Sequence, residues 1–380
     1  MKVILNVDAI APPLTGIGRY ALALARGLPA HPDVSECRYF AGYRWVADPE
    51  AALRAGRAAS SLRRRIPFKG LALELYFALR QQQFSRRSRK LRGHLLHSPN
   101  YLLFEHDGPS VSTVHDLSWR HYPQFHPRDR VRAMEKHMPR TLAQATHVLT
   151  DSSFVRQEVI EHFHVAPERI TAVPLGVEPE FRPRTPQECA AMLEKHGLRC
   201  GAYLLCVATI EPRKNLERLL RAYRLLPDSL QRAYPLVIAG GQGWRMEAIE
   251  SAAAQLEAEG KLRRLGYVEE AELPLLYSAA AGFAFPSLYE GFGLPPLEAM
   301  ASGVPVLVSD NPALVEVVED AGLVVPALDE EEIARGLEQL LTDLRWRERA
   351  IAAGLEQSAR YTWDRCVAGT VAAYALANAA

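Results

Sequence analysis

Tyr289-Glu-Gly-Phe-Gly-Leu-Pro-Pro-Leu-Glu-Ala-Met300 is the stretch whose reading decides the fold. It follows Gly282-Phe-Ala-Phe-Pro-Ser287, an apolar run long enough for a buried strand and too short for a helix. The glycines at 291 and 293 let the backbone pass close to a ligand. Pro295 and Pro296 suit a first helical turn, and Leu297-Glu-Ala-Met-Ala continues a good helix. The spacing therefore predicts strand, loop, helix, with a ring of backbone N–H groups at a helix end carrying about half a positive charge. Glu290 and Glu298 bracket that ring. Carboxylates accept from hydroxyls while N–H groups bind oxyanions, so the stretch suits a ligand bearing both hydroxyls and phosphates, as a nucleotide sugar does.

Upstream, Ala202-Tyr-Leu-Leu-Cys-Val-Ala-Thr209 reads as a strand and Leu216 to Leu226 as a helix, with Glu211-Pro-Arg-Lys-Asn215 at the turn between them. A basic pair here, Arg213 and Lys214, can neutralise charge developing on a diphosphate leaving group. Read without context, such a pair is also an ordinary solvated helix start, and the two glutamates an ordinary loop acid and helix acid. Near the amino terminus, residues 1 to 9 read as a strand, and Ala11-Pro-Pro-Leu-Thr-Gly-Ile-Gly-Arg-Tyr20 as a loop entering a helix. Gly16 and Gly18 there fit a phosphate-facing turn, and equally a tight turn with no ligand. Pro109-Ser-Val-Ser-Thr-Val-His-Asp-Leu117 reads as a buried strand whose polar end carries His115 and Asp116, where ligands of open parallel sheets sit. Strands are also expected near Cys37 to Tyr43, at 146–151, at Ile170 to Gly176, at Leu236 to Ala239 and at Leu265 to Val268, alternating with helices. Gly240-Gly241 is read as room for a ligand or as a plain turn. This βα alternation predicts an α/β protein with doubly wound parallel sheets. Three prolines within Val177 to Pro186 mark a linker between two domains.

The ordered set Gly16-Ile-Gly-Arg-Tyr20, Val114-His-Asp-Leu117, Glu211-Pro-Arg-Lys-Asn215 and Glu290-Gly-Phe-Gly-Leu-Pro-Pro-Leu-Glu298 resembles retaining glycosyltransferase family 4, over nearly the whole chain. The resemblance implies the GT-B fold, two Rossmann-like domains facing across a cleft. Residues 1–176 would form the acceptor-side domain, 177–361 the nucleotide-sugar domain, and a terminal helix at 362–380 would pack back on the first. It implies catalytic roles for His115 beside the donor sugar, and for Arg213, Lys214 and Glu290 at the diphosphate and the sugar. Donor contacts would come from Gly16, Gly18, Tyr267, Val268, Gly291, Phe292, Gly293, Leu294 and Glu298, with Glu298 on the ribose hydroxyls. No Asp-x-Asp triplet occurs, so no cofactor and no metal is expected. The segment Val114 to Pro127 is similar to members that build mannan or rhamnan chains of bacterial surface polysaccharides. GDP-mannose or GDP-D-rhamnose is therefore the expected donor, with a UDP-sugar the alternative, and a lipid-linked oligosaccharide the acceptor. A nucleotide-sugar epimerase and a non-catalytic nucleotide-sugar binder share the architecture and stay open as other classes.

Length and composition agree with this. The 380 residues, 48% hydrophobic and 23% charged, suffice for two cores. Five scattered cysteines without a Cys-x-x-Cys pair suggest a reducing compartment, and no apolar run reaches the ~20 residues of a membrane span. A cytoplasmic protein, or one peripheral on the inner membrane, is expected. The net charge of +1 hides an uneven distribution: residues 53–92 carry twelve basic side chains against Glu74 alone, leaving the remainder at −10. This segment, centred on the apolar run Leu71 to Leu79, reads either as a core helix with charged ends or as a docking surface for anionic lipid. Nucleic acid is not expected as a partner, because no stacking aromatics are interleaved with the arginines.

Overall fold

The computed structural model describes residues 1–54, 70–241 and 247–379. Two compact units share the chain: Met1–Gly176 with Trp363–Ala380, and Val177–Thr362.

In the first unit, β1 (Lys2–Asn6), β2 (Glu36–Ala41), β3 (Arg44–Val46), β4 (Leu95–Ser98), β5 (Ser110–Val114), β6 (His147–Thr150) and β7 (Ile170–Ala172) form one sheet in the order β3-β2-β1-β4-β5-β6-β7. All neighbours are parallel except β3, which returns antiparallel on β2 at the edge through Gly42. Continuous burial along β4, β5 and β6 is what a parallel sheet covered on both faces demands. Trp119, Met138, Leu142, Val148 and Val159 form the core on the β5–β7 side, and Phe40, Phe84 and Phe104 another beside β1 and β2. The Trp363–Ala379 helix closes this unit against β5, β6 and the Gly16–Gly27 helix. A methyl group at Gly27 would meet Val367 at 2.6 Å, so the two helices touch backbone to side chain.

In the second unit, β8 (Leu204–Val207), β9 (Leu236–Ala239), β10 (Leu262–Gly266), β11 (Gly282–Phe285), β12 (Val306–Ser309) and β13 (Gly322–Val325) lie in the order β10-β9-β8-β11-β12-β13, all parallel. Both sheets reverse their winding once, at β1/β4 and at β8/β11, and a doubly wound sheet binds ligands beyond the strand ends at that point.

The strand expected at Leu265 to Val268 runs instead over Leu262–Gly266, with an irregularity before Gly266. It is an edge strand, where charged residues are tolerated, and Arg264 is held by Glu250 and Glu257 of the Glu247–Ala258 helix. The helices Arg128–Gln144 and Leu344–Ser358 were not anticipated. As for the basic segment, Gly70–Ser88 is helical, but residues 55–69 and the side chains of the apolar run up to Phe77 lie outside the described residues. Among the described basic groups, Arg80 is committed internally: it pairs with Asp8, donates to the Gly42 carbonyl at 3.2 Å and lies 5.0 Å over the Phe104 ring. No helix among the described residues is long and apolar enough to cross a membrane.

Candidate active site

The two strands at the second sheet's reversal each hand over directly to one of the motifs. After β8 the chain runs into Glu211 and the short turn Pro212–Lys214, then through Asn215 in the left-handed conformation into the Leu216–Leu225 helix. After β11 it runs through Ser287 to Tyr289 and Glu290, then into the Leu294–Ala301 helix. The loops are stitched together. Leu288 N–H donates to the Arg213 carbonyl at 2.8 Å, and the Asn215 side-chain amide donates to the Pro286 and Ala327 carbonyls at 2.9 and 2.6 Å.

This brings Arg213, Lys214 and Glu290 together. Lys214 Nζ lies 2.6 Å from Glu290 Oε1, and Arg213 Nη1 3.1 Å from Glu290 Oε2. Arg213 also donates to Glu211 through Nη2 at 2.7 Å and to the Tyr289 carbonyl at 2.7 Å. All four side chains are largely shielded from solvent. Burial pushes the Lys214 ammonium below its ordinary range, with Arg213 adding repulsion and Glu290 offsetting part of it. Burial alone would raise the Glu290 carboxyl, but Arg213 and Lys214 outweigh it and hold the group below the usual value. The expected basic pair is thus matched by two carboxylates. Glu211 belongs to the quoted motif, yet its pairing with Arg213 was not foreseen.

Glu298 is buried on the Leu294–Ala301 helix. The predicted ring of helix-end N–H groups is thinner than expected, because Pro295 and Pro296 occupy its first turn and have no N–H. The amides of Gly291, Phe292, Gly293 and Leu294 remain as candidates, and Gly293 adopts φ +142, a conformation closed to most side chains. Phe292 turns its ring inward, edge-on to Tyr361 at 5.8 Å, so only its backbone faces the loop. Tyr267 is exposed and Val268 buried, just past the end of β10 and two strands from the reversal. Gly240 is explained by the fold: a Cβ there would sit 1.9 Å from the Ala208 carbonyl oxygen, so the plain-turn reading accounts for it.

In the first unit, Gly16 opens the helix behind β1, with Thr15 as its cap. Gly18 N–H donates to Thr15 Oγ1 at 3.2 Å, and a Cβ on Gly18 would lie 2.8 Å from both the Ala9 carbonyl oxygen and Leu14 Cδ1. Gly18 is therefore required by the packing of its own loop, while the Gly16 and Ile17 amides lie at the helix start, where no intrahelical acceptor exists. His115 follows β5 and is buried. Its Nδ1 lies 2.7 Å from Asp151 Oδ2 and its Nε2 2.8 Å from the Pro99 carbonyl oxygen. Tyr20 and Tyr101 meet the ring edge-on at 5.3 and 5.6 Å. Both ring nitrogens are thus engaged within the protein. Burial alone would lower its pKa, but the Asp151 carboxylate outweighs burial and raises it. Asp116 serves its own turn, accepting from Ser118 N–H at 3.0 Å. Asp151 was missed because only the register shows it: Val114 and Thr150 are partners in neighbouring strands, so the next residues, His115 and Asp151, emerge side by side.

Residues 14–181 match the family described as Glycosyltransferase Family 4, and residues 194–357 the one described as Glycosyl transferases group 1. Over 380 residues, 99% of this chain and 100% of the relative, the sequence is 39% identical to O-antigen chain mannosyltransferase B of Escherichia coli. It is 35% identical over 226 residues to the serotype-specific mannosyltransferase WbdA of Escherichia coli, covering 58% of this chain and 27% of that longer protein. The structure resembles sucrose-phosphate synthase of Thermosynechococcus elongatus with a TM-score of 0.76 at 20% identity, covering 99% of this chain and 98% of the other. Two doubly wound units, paired motifs at a sheet reversal and full-length similarity converge: the chain belongs to the family 4, group 1 glycosyltransferases and has their GT-B fold.

Proposed function

We propose that the protein transfers mannose from GDP-mannose to a lipid-linked glycan in the synthesis of an O-antigen-type polysaccharide, with retention at the anomeric carbon. The observation that carries this is the 39% identity, over essentially both whole chains, with an O-antigen chain mannosyltransferase. D-rhamnose, which lacks only the 6-hydroxyl of mannose, is the second donor sugar on this reading.

The Arg213–Lys214–Glu290–Glu211 cluster supports a partner exchange. When the donor's diphosphate arrives, Arg213 and Lys214 turn from the carboxylates to the phosphate oxygens and stabilise the leaving group. Glu290 is thereby released to accept from hydroxyls of the sugar, with the amides of Gly291 to Leu294 beside it. Glu298 accepts from the ribose. Basic side chains supply the charge that a divalent cation supplies elsewhere, so transfer proceeds without a metal. The described arginines and lysine at 86–92 support a peripheral position at an anionic membrane surface, where each such charge contributes about 1 kcal/mol.

Incubating the protein with GDP-mannose, GDP-D-rhamnose and a UDP-hexose, each with and without a lipid-linked mannan primer and in the presence of EDTA, tests the reading. Transfer from GDP-mannose only when primer is present supports it. Donor turnover without primer points to an epimerase or hydrolase, and binding without turnover to a sensor. Sedimentation with anionic but not neutral vesicles at low salt tests the membrane part separately.

A further inference from the structure

Outside the cluster just described, three side chains of the first unit converge on one point: His121, Glu158 and His162, whose ligand-type atoms all lie within 4.8 Å of one another. Glu158 and His162 are one helical turn apart on the Ser153–Phe163 helix and so share a face. His121 comes from the end of the short Ser118–His121 helix. Its Nε2 lies 2.7 Å from Glu158 Oε1, and the two imidazole rings stand 5.3 Å apart at 59°. Glu158 is buried, whereas His121 is exposed and His162 partly so, giving a carboxylate at the base with two imidazoles above it, open to solvent on one side.

We propose that this trio is a binding site for a divalent first-row transition cation, with zinc as the representative ion. Two imidazoles and a carboxylate are borderline ligands of the kind such ions prefer, and three protein ligands leave a fourth position to water. Tetrahedral zinc with bonds of about 2.0–2.2 Å sets its donors roughly 3.3 Å apart, within reach of side-chain rotation from the observed spacing. Helical spacing sets His162 beside Glu158, and the fold then brings His121 from a second element to the same carboxylate.

The position gives the site a role. The Ser118–His121 helix follows β5 and His115, and the Ser153–Phe163 helix follows β6 and Asp151. A bound cation would clip, from the solvent side, the same two segments that the His115–Asp151 pair joins from within. It acts on the stability of that corner and takes no part in the transfer chemistry.

The test uses the full-length protein, stripped with chelator and then titrated with zinc by calorimetry and with cobalt by visible absorption, which reports the ligand geometry. The melting temperature is followed in parallel, because an ion that binds only the folded state raises it. Wild type is expected to take up one equivalent and to melt higher with zinc. His121→Gln and His162→Gln, both at accessible positions, are expected to weaken binding at least tenfold and to abolish the rise, while Cys200→Ser, at an exposed thiol, changes neither. The proposal is overturned if micromolar zinc gives no saturable binding, or if the double variant H121Q/H162Q binds as wild type does. Because the readouts are binding and melting, they stand or fall independently of which sugar is transferred.

Discussion

Lys214 Nζ lies 2.6 Å from Glu290 Oε1 and 5.0 Å from the centre of the Phe285 ring, so the ammonium is held between a carboxylate and an aromatic face. Neither partner is water. A charge kept this dry interacts strongly with whatever anion displaces the carboxylate, which is the electrostatic condition for stabilising a leaving diphosphate. The double variant R213A/K214A is therefore expected to lower kcat/KM for the GDP-sugar by at least about 10²-fold, the effect of removing one such preorganised donor. Steady-state kinetics check this, and unchanged turnover would remove the diphosphate from this cluster.

The single variant Lys214→Ala has a second expected effect. It leaves Glu290 with Arg213 alone in a shielded site, and losing one partner of such a pair costs up to about 3–5 kcal/mol. Lys214→Ala combined with Glu290→Gln should recover part of that loss in urea unfolding while remaining inactive, separating stability from catalysis.

The His115–Asp151 pair predicts a pH dependence with a definite sign. Asp151 opposes Nδ1 and the Pro99 carbonyl opposes Nε2, so the folded pair keeps a proton that an unfolded histidine releases above its ordinary value of 6.5. A raised folded pKa contributes stability that is fully present below the unfolded value and is lost as pH rises through the folded one. Around the pair, Asp116 also favours the proton, and burial holds the nearby His97 down at about 3, leaving it neutral. The melting temperature of wild type should accordingly fall from pH 6.5 upward more steeply than that of H115Q/D151N. Parallel profiles would show that the pair does not titrate in this range.

Gly240 and Gly241 are adjacent and chemically identical, yet alanine should separate them. At Gly240 the backbone has φ +146 and a Cβ would meet the Ala208 carbonyl oxygen at 1.9 Å, whereas at Gly241 no heavy atom of the described residues lies within 4 Å of the added carbon. G240A is expected to cost at least about 2 kcal/mol through strain and overpacking, and G241A well under 1. Denaturant midpoints of the two variants decide it.

Asn215 ties together the loops that carry Arg213 and Glu290. Its amide is the donor for two buried carbonyls, Pro286 and Ala327, and its φ of +59 is one that glycine also adopts freely. Asn215→Gly keeps the backbone and leaves those acceptors unpaired, at about 1–3 kcal/mol each. Loss of stability together with a fall in kcat is expected; full activity in N215G would show that the loops hold their places without it.

How much of this could be read from the chain alone depends on which force shaped each segment. The βα alternation and the loop at Tyr289 were legible because buried parallel strands are written as short apolar runs, and because glycine and proline mark the turns. The register of β10 was not, since Arg263 and Arg264 interrupt the apolar pattern, Arg264 held by salt bridges from a helix that sequence cannot place and Arg263 by the His196 carbonyl. The Leu344–Ser358 helix buries Ala350, Gly354, Gln357 and Ser358, small and polar residues that give no periodic apolar signal, and Gly354 sits against Met300. The Arg128–Gln144 helix did carry a signal, Met134, Met138, Thr141 and Leu142 at helical spacing, obscured by its charges and by Pro139. At the candidate site the residue types were legible and the charge balance was not. That Glu211 and Glu290 neutralise the basic pair depends on contacts across two loops, and that Pro99 and Asp151 occupy both nitrogens of His115 depends on three strand ends meeting.

One consequence concerns how the molecule is made. The first unit needs the last stretch of chain: Tyr374 Oη lies 2.6 Å from His97 Nδ1 in its interior, and Gly369 lies against Val173. On a ribosome adding roughly 5–20 residues per second, the nascent amino-terminal half waits tens of seconds, with part of its interior uncovered, until the carboxyl-terminal helix emerges. Cutting the chain after Thr362 should therefore cripple the half that was synthesised first, and such a nascent half is the form in which this protein would call on chaperones.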